Sequence, residues 1–382
     1  MSAILHVTTF LQGGAGRAVC DLAIGQHDAG QDVAVVTSAT AVAGYANYPE
    51  YLSRLRQAGV TLHEIDSTFQ RDPAAHVAVV EALRDRLARG RLDLIHAHAG
   101  KPAVIALAIA ARARPRIPVV QTMHGWGSNK TPEQAARDLA VLQEVDAVVT
   151  TSHASARWLQ EQGIEARLLT TIPCGLDAAP PAGDPVARFP EVAAAKAAGA
   201  AVVVCIGTVS AHKNQARLVE AWPLVRDRID RALVCVFAGE GPLIPDLERR
   251  ARQLGVADEC RFLGYQPSAA LLLALADLLV LPSRGEGQGL AVLEAFRAGV
   301  PAVVSDVPAL VELVLDGTTG YVARGDTAAA LADGIVRALG ATAEKRHAIT
   351  AEAHAQFASH FTTRAMLEAH DALYRQVCRA GL

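Results

Sequence analysis

The chain lacks a large excess of charge of either sign. Its 36 Lys and Arg residues nearly balance 39 Asp and Glu residues, so the formal net charge is -3 over 382 residues. A chain with so small a net charge carries no general field for binding polyanions, and we expect no nucleic-acid partner. With 51% hydrophobic and 20% charged residues, the composition is that of a globular protein.

Long apolar runs are also missing. The longest, residues 102–111, is far short of the roughly 20 residues that a membrane-spanning helix needs. Residues 1–10 lack the charged start and long apolar core of a signal peptide. We therefore expect a cytoplasmic protein without a membrane span. Peripheral contact with the inner face of the plasma membrane stays open, because no single basic amphipathic helix stands out.

Metal-binding patterns are absent as well. The six cysteines show no Cys-x-x-Cys spacing, and several lie in apolar runs, which predicts reduced, buried thiols. His96 and His98 lie two residues apart near the end of a predicted strand, on one face of it. No third ligand follows them at a recognisable spacing, so we predict structural histidines and no metal site.

The sequence does contain a regular alternation of short apolar runs and helical stretches. In the first half, the main predicted strands are residues 3–9, 32–37, 60–65, 92–96, 117–121 and 146–151. In the second half, they are residues 201–206, 233–238, 260–263, 278–281 and 302–305. Such alternation predicts an α/β fold with doubly wound parallel sheets, and this length suits two domains. The Pro-, Ala- and Gly-rich residues 178–185 are the predicted linker.

The most informative stretch is residues 284–294. It follows the predicted strand 278–281 and runs into a predicted helix over residues 290–298. It therefore opens at the carboxyl end of a parallel strand, where open α/β sheets bind ligands. Gly285, Gly287 and Gly289 lack Cβ atoms at alternate positions, so the backbone can approach a bound group closely. The free N–H groups at the start of the following helix suit a phosphate or pyrophosphate.

Two glutamates in this stretch indicate a nucleotide sugar. Glu286 beside a pyrophosphate costs Coulomb energy unless it faces sugar hydroxyls and a nearby cation offsets its charge. Glu294 lies one turn into the helix, and its side chain leans back toward the loop, where it can accept from the two hydroxyls of a ribose. The alternative is a Gly-rich turn with two solvated glutamates.

These glutamates and their surroundings, Glu-Gly-x-Gly-Leu-x-x-Leu-Glu-Ala, resemble the signature of the retaining glycosyltransferases of family 4. The resemblance covers nearly the whole chain. It implies the GT-B architecture, in which two Rossmann-like doubly wound domains face a cleft. It also implies an acceptor-side domain over residues 1–180, a nucleotide-sugar donor domain over 181–360 and a C-terminal helix, 361–382, that packs back on the first domain.

The resemblance assigns roles around the donor. Lys213 would hold the leaving diphosphate together with the amides of Gly289 and Leu290. Glu286 would hold sugar hydroxyls or stabilise positive charge at the anomeric carbon, and Glu294 would hold the ribose. By resemblance no divalent metal and no cofactor is required, and the sequence has no Asp-x-Asp motif to bind a metal.

One residue departs from the family pattern. Relatives usually carry an arginine directly after the glycine that ends the first strand of the donor domain, and here that position is Thr208. Arg284 and Arg17 are the candidate substitutes for the missing cation.

Further donor contacts follow from the resemblance. Relatives seat the nucleotide base near Arg261 and Leu263, where backbone groups do most of the reading. Gln288, beside Gly287, stands where relatives often carry phenylalanine, so a polar group there could tune the choice of sugar. Glu240 either binds a ligand or shapes its turn.

A second glycine-rich loop follows the first predicted strand. Gly14 and its neighbours invite a nicotinamide or flavin interpretation, but the third glycine of that motif is absent. The second strand also ends without an acidic residue for a ribose. In the family, a Gly-Gly loop here lies near donor phosphates and acceptor. Arg17 is then a candidate contact for an anionic acceptor, or a solvated residue at a helix start.

A third histidine, His124, follows a buried strand and precedes a glycine and an aromatic residue. Family members commonly carry a histidine here that touches the donor sugar or shapes the reaction centre, and a packed or capping histidine is the alternative. Trp126 forms either a platform for a sugar ring or part of the core.

Together these observations predict a retaining, hexosyltransferase-type glycosyltransferase. It would move a sugar from a nucleoside diphosphate, most often UDP, to a hydroxyl of a bacterial envelope polysaccharide, lipopolysaccharide or glycolipid, or of a small metabolite. A nucleotide-sugar epimerase of the same architecture is the nearest alternative, because fold does not fix chemistry. A glycosidase would have no use for phosphate-binding amides, and a catalytically inactive binding subunit would not need the intact donor residues.

Overall fold

The computed structural model describes residues 2–42, 44–65, 77–83, 92–113, 115–126 and 130–380. The chain forms two compact units, one of residues Met1–Gly175 with Thr363–Leu382 and one of residues Leu176–Thr362. Within the described residues, no helix is both long enough and apolar enough to cross a membrane.

The first unit is built on a seven-stranded sheet. Its strands are β1 (Ala3–Val7), β2 (Asp32–Thr37), β3 (Thr61–Glu64), β4 (Leu94–Ala97), β5 (Val119–Met123), β6 (Ala147–Thr150) and β7 (Leu169–Thr171). The strand order is β3-β2-β1-β4-β5-β6-β7, and every pair is parallel. The order reverses between β1 and β4, the position at which doubly wound sheets open a crevice for ligands.

Helices cover both faces of this sheet. They are α1 (Gly13–Asp28), α2 (Pro49–Gln57), α3 (Val77–Ala82), α4 (Gly100–Ala110), α5 (Pro132–Glu144), α6 (His153–Glu161) and the C-terminal α15 (Thr363–Ala380). Because strand side chains alternate between faces, Ile4 packs with Leu22 of α1 and Met366 of α15, whereas Leu5 packs with Ile105 of α4 on the other face.

The second unit repeats this plan with six parallel strands. They are β8 (Ala201–Ile206), β9 (Leu233–Ala238), β10 (Cys260–Phe262), β11 (Leu278–Leu281), β12 (Ala302–Ser305) and β13 (Tyr321–Ala323). The order is β10-β9-β8-β11-β12-β13, so the reversal lies between β8 and β11.

The helices of this unit flank two cores, one on each face of the sheet. They are α7 (Pro185–Arg188), α8 (Pro190–Ala197), α9 (Gln215–Arg226), α10 (Ile244–Gln253), α11 (Leu290–Ala298), α12 (Pro308–Leu313), α13 (Ala328–Leu339) and α14 (Ala343–His360). Helix α11 ends at Gly299, whose φ of 67° is a conformation that favours glycine. At the margin of the unit, the Leu176 N–H donates to the Phe361 carbonyl over 2.9 Å, and Leu176 pairs with Thr362.

The predicted fold class, two doubly wound parallel-sheet domains, is confirmed. The predicted helix at 290–298 and the strands at 201–206, 233–238, 278–281 and 302–305 have the observed bounds. The main strand prediction omitted β7 and β13, which are three-residue strands at sheet edges, although it included β10, an edge strand of the same length. Strands this short have few residues to show an apolar pattern, so only one of the three was predicted. The six cysteines are free, and only Cys378 is partly exposed.

Candidate active site

Two loops meet at the carboxyl edge of the second sheet. The β8 loop, residues 207–214, follows β8, and the β11 loop, residues 282–289, follows the adjacent β11. The Arg284 N–H donates to the His212 carbonyl over 2.9 Å, which joins the two loops directly. Both loops thus lie where the strand order reverses, the position at which such sheets bind ligands.

The two loops bring Lys213 and Glu286 together. Lys213 Nζ lies 2.6 Å from Glu286 Oε1, and the Ser283 hydroxyl donates to the same oxygen over 2.7 Å. The Glu286 side chain is 8% exposed and that of Lys213 is 28% exposed. A carboxylate this buried needs a cation or hydrogen-bond donors, and it has both here. The ammonium keeps partial access to solvent.

Side-chain to backbone hydrogen bonds hold the β8 loop. The Gln215 amide donates to the Thr208 carbonyl over 3.0 Å and accepts from the Ser210 N–H over 3.3 Å. The Lys213 N–H donates to the Ser210 hydroxyl over 3.3 Å. Asn214 adopts the left-handed conformation, with φ 54°, immediately before α9. The loop backbone is therefore fixed while the Lys213 ammonium projects toward Glu286.

Glycines allow a third loop to pack against the β8 loop. A Cβ at Gly239 would lie 2.0 Å from the Gly207 carbonyl oxygen, and one at Gly241 would lie 1.9 Å from the Val209 oxygen. The Val209 N–H donates to the Glu240 carbonyl over 2.7 Å between these contacts. The backbone of Glu240 thus shapes the turn, which was one of its two predicted roles.

The start of α11 follows the β11 loop. Gly289 precedes the helix with φ 94°, and Leu290 is its first residue. Gly287 and Gln288 are buried in this loop, and Glu294 is 8% exposed in the helix. Since the N–H groups of a first helical turn lack intrahelical partners, this turn can receive an anion.

Arg217 of α9 was missed by sequence reasoning. Its side chain is 6% exposed and donates to the Pro282 carbonyl over 3.2 Å, to the Ser305 hydroxyl and to the Gly325 carbonyl over 3.2 Å. Its ion pair with Asp326 spans 2.8 Å. Burial lowers the pKa of the guanidinium, and Asp326 opposes that effect. Arg217 therefore links the carboxyl ends of the three strands β11, β12 and β13.

The candidates for the missing cation lie in different places. Thr208 is exposed in the β8 loop. The Arg284 side chain is 57% exposed, with Nε 3.9 Å from Asp326. Arg17 belongs to the first unit, where it lies 3.4 Å from Asp21, a carboxylate that also pairs with Arg54 at 2.6 Å.

The predicted base-binding residues lie beside β10. The Arg261 side chain donates to the Asp258 carbonyl over 2.6 Å. The Leu263 N–H donates to the Phe237 carbonyl over 2.9 Å, and its own carbonyl accepts from Gln266 over 2.7 Å. These backbone hydrogen bonds keep the end of β10 attached to the edge of the sheet.

In the first unit, Gly14 is exposed in the first turn of α1. The glycine that packing requires is Gly16, where a Cβ would lie 2.5 Å from the carbonyl carbon of Leu11. The Trp126 ring contacts Trp158, with centroids 4.7 Å apart, and the Lys130 ammonium lies 3.5 Å from its centroid.

The structure adds a residue to the histidine pair of β4. His6 of β1 is in register with His96, and one ring nitrogen each from His6, His96 and His98 lies within 4.8 Å of the others. The sequence shows no third ligand at a recognisable spacing from His96 and His98, but the sheet places His6 beside them. Ligand spacing along the chain could not reveal His6, because sheet pairing brings it across 90 residues. His124, after β5, contacts this group, with Nε2 3.1 Å from His98 Nδ1.

Sequence comparisons agree with this arrangement. A family model described as Glycosyltransferase Family 4 matches residues 12–179, and one described as Glycosyl transferases group 1 matches residues 200–341. The D-inositol 3-phosphate glycosyltransferase of Nocardia farcinica is 31% identical over 307 residues, which is 74% of this chain and 67% of the relative. The glycogen synthase of Mycobacterium tuberculosis (strain H37Rv) is 30% identical over 335 residues, 81% of this chain and 78% of the relative.

Solved structures show the same fold. HepE of Anabaena, in complex with UDP and glucose, superimposes with a TM-score of 0.82 at 19% identity, over 98% of this chain and 100% of that one. Sucrose-phosphate synthase from Thermosynechococcus elongatus gives a TM-score of 0.81 at 19% identity and covers 100% of both chains. The chain belongs to glycosyltransferase family 4 and has the GT-B fold.

Proposed function

We propose that the protein transfers a sugar from a nucleoside diphosphate to an acceptor hydroxyl with retention of the anomeric configuration. The observation that carries the proposal is the contact between Lys213 and Glu286 at the edge of the second sheet, 2.6 Å long and next to the start of α11. In the proposed site, Lys213 would be the cation for the diphosphate and Glu286 the carboxylate for the sugar.

The donor would lie across the two loops. Its diphosphate would accept from the N–H groups of Gly289 and Leu290 and from the Lys213 ammonium. Glu286 would face the sugar, and Glu294 would accept from the ribose hydroxyls. Before the donor arrives, the ammonium and the carboxylate neutralise each other. When the glycosidic bond breaks, negative charge grows on the diphosphate, and a preorganised cation with helix amides stabilises it.

We further propose that the enzyme needs no metal and no cofactor, since Lys213 and the helix amides supply the positive field. Activity should then survive EDTA. Full loss in EDTA that magnesium or manganese restores would contradict this part of the mechanism.

We propose a UDP-sugar as the donor, which the complex of HepE with UDP and glucose supports. For the acceptor, the names of relatives support two classes. D-inositol 3-phosphate and L-malate are small anions. Phosphatidylinositol monomannoside is a glycolipid. We propose an envelope saccharide or glycolipid, reached from the cytoplasmic side of the membrane, with a small metabolite as the alternative.

A thermal-shift screen tests the donor. UDP, GDP, ADP, CDP, TDP and their sugars are compared, because a ligand at 100 times its Kd adds about 2.7 kcal/mol to stability. The donor found is then incubated with lipid-linked glycans, inositol phosphates and hydroxy acids, and diphosphate release and product configuration are followed. An inverted product would contradict the proposal, and so would a changed donor sugar with no transfer, the outcome for an epimerase.

A further inference from the structure

A buried layer of histidines lies on one face of the first sheet. Side chains alternate between the two faces of the sheet, so every second residue of β1, β4 and β5 lies on this face. Each strand first presents an apolar side chain here, namely Ile4, Leu94 or Val120, and polar side chains follow toward the carboxyl edge. The polar side chains beyond it are His6, His96, His98, Thr122 and His124. Helices α1 and α15 cover this face and contribute Gln26, His370 and Tyr374 to the layer.

Three of these histidines form a continuous chain of hydrogen bonds. Gln26 Oε1 lies 2.7 Å from His6 Nε2, His6 Nδ1 lies 2.9 Å from His98 Nε2, and His98 Nδ1 lies 3.1 Å from His124 Nε2. Adjacent rings in the chain differ in plane by 23°, with centroids 5.2 and 5.4 Å apart. The rings therefore meet edge to edge, as linear N–H to N hydrogen bonds require.

This chain of hydrogen bonds has a direction, and Gln26 sets it. The Gln26 carbonyl oxygen can only accept, so His6 must donate through Nε2–H. A neutral His6 then accepts at Nδ1, which makes His98 donate through Nε2–H. By the same rule His98 accepts at Nδ1 and His124 donates through Nε2–H. His124 is left with a lone pair on Nδ1.

The amide of Gln26 also joins a second chain of hydrogen bonds, so its orientation sets the direction of both. Gln26 also hydrogen-bonds Tyr374, and the Tyr374 hydroxyl lies 2.6 Å from His96 Nδ1. His96 Nε2 lies 2.7 Å from the Thr122 hydroxyl. With the amide nitrogen of Gln26 donating to Tyr374, the hydroxyl donates to His96 and His96 donates to Thr122. Turning the amide over would reverse both chains together.

The surroundings keep the rings neutral, as the chain requires. Burial lowers the pKa of His6 and of His124 to about 4 and that of His98 well below its usual range. Burial is the main cause of this lowering, and neighbouring histidines contribute to it, because imidazolium ions close together repel each other. Each ring then carries one proton, and each bond in the chain has one donor.

We propose that Gln26 is a positioning residue that sets the Nε2–H tautomer of His124 and so leaves Nδ1 to accept a hydrogen bond from a substrate hydroxyl. His124 follows β5 at the carboxyl edge of the sheet and is partly exposed. Among the described residues, its hydrogen bonds involve only Nε2. The catalytic consequence rests on the proposed function, because a sugar must be bound for Nδ1 to meet a hydroxyl, whereas the tautomer itself does not.

A metal ion would require a different arrangement. His6, His96 and His98 are close enough to share one. However, all six of their ring nitrogens have hydrogen-bond partners, and a metal would replace the bond between His6 and His98. The two hydrogen-bonded chains together use all six of these nitrogens as they stand.

The tautomers can be read directly by ¹⁵N NMR of protein labelled at histidine near pH ~7, with His124 assigned from the resonances missing in His124→Gln. We expect His6, His98 and His124 to show Nε2–H and an unprotonated Nδ1. A His124 protonated at Nδ1, or a fast mixture of both forms, would overturn the proposal. So would a stoichiometric transition metal whose removal shifts the resonances of His6 and His98.

A variant tests whether Gln26 is the cause. Gln26→Met keeps the length of the side chain and removes the acceptor, so His124 should become a mixture of tautomers. The control is His370→Leu, since His370 lies in the same layer but hydrogen-bonds the Met366 carbonyl. It should leave the tautomer of His124 unchanged. A Gln26→Met protein that folds and retains pure Nε2–H at His124 would contradict the proposal, and if this variant does not fold, the wild-type spectrum still decides.

Kinetics separate this inference from the proposed function. Gln26→Met should lower kcat in proportion to the fraction of His124 that leaves the Nε2–H form, about twofold for an even mixture, with little change in KM for the donor. A protein with the expected tautomers but no transferase activity would refute the function and leave the tautomer assignment intact. Normal kcat in a variant with mixed tautomers would refute the positioning role alone.

Discussion

The Ser283 hydroxyl lies 2.7 Å from Glu286 Oε1, the carboxylate oxygen that also receives the Lys213 ammonium. Ser283 comes two residues after β11 and is buried, so the strand end itself fixes the position of the carboxylate. Glu286 is thereby held before any ligand binds, which is the condition for a site that stabilises charge without reorganising.

Replacing Lys213 should impair turnover more than folding. If its ammonium receives the leaving diphosphate, Lys213→Ala should cut kcat by ~10² or more, because charge on that group grows as the bond breaks. The matched control is Lys196→Ala, which removes an ammonium that lies 2.7 Å from Asp277 in the same unit. A coupled assay for diphosphate release measures both, and the control should stay near the wild-type rate.

The arginine that relatives carry at position 208 offers a second arm of that test. Thr208→Arg in the Lys213→Ala background should recover part of the lost rate. If Arg284 already supplies the second cation, the added arginine will gain nothing and Arg284→Ala alone will be nearly as damaging. Near-normal rates for Lys213→Ala and Arg284→Ala alike would show that the diphosphate binds elsewhere.

Loss of the Glu294 carboxylate should weaken nucleotide binding. Glu294→Ala is expected to cost about 1 to 3 kcal/mol in the affinity for the free nucleoside diphosphate, the range for a lost hydrogen bond to a charged group. Calorimetry with the diphosphate measures this, and Glu220→Ala, at an exposed position of α9, is the control. Unchanged affinity would remove Glu294 from the ribose.

Arg217 should matter for stability. Arg217→Met leaves the Pro282 and Gly325 carbonyls and the Ser305 hydroxyl without their donor, so we expect a loss of about 3 kcal/mol in the free energy of unfolding. Arg228→Met removes an exposed pair with Asp333 and should cost less than about 1 kcal/mol. Urea denaturation compares the two variants, and equal costs would mean that Arg217 does not anchor the strand ends.

The buried histidines should make the first unit sensitive to acid. The pKa values of His6 and His370 are about 4 in the folded protein, against an ordinary value of 6.5. The unfolded chain therefore binds protons that the folded chain does not, so the free energy of unfolding is full above pH ~6.5 and falls as the pH drops toward ~4. Each of these two histidines accounts for a loss on the order of 3 kcal/mol in the free energy of unfolding over that pH range.

Urea denaturation at pH ~7.5 and ~5 checks this pH dependence. His370→Leu should lose less stability between the two values than the wild type, because one of the titrating groups is gone. An unchanged pH dependence in this variant would show that His370 is not buried in its neutral form.

The structural features that depend only on residues adjacent along the chain could be predicted from the sequence. The strand, glycine loop and helix around Glu286 are one continuous stretch, so their order could be read from propensities and glycine positions alone. Pairing between distant segments could not be read in this way. His6 joins His96 only through the register of β1 on β4, and Arg217 carries no local sign that three strand ends surround it. No pattern along the chain encodes those contacts.

The second unit begins and ends at one place, where the Leu176 N–H meets the Phe361 carbonyl. It is one continuous segment, residues Leu176–Thr362, whereas the first unit needs both ends of the chain. A segment whose termini are adjacent is suited to circular permutation and to insertion into another protein. The second unit can therefore be cut out as one segment, or reopened at a surface loop, without interrupting either of its own cores. No single cut yields the first unit.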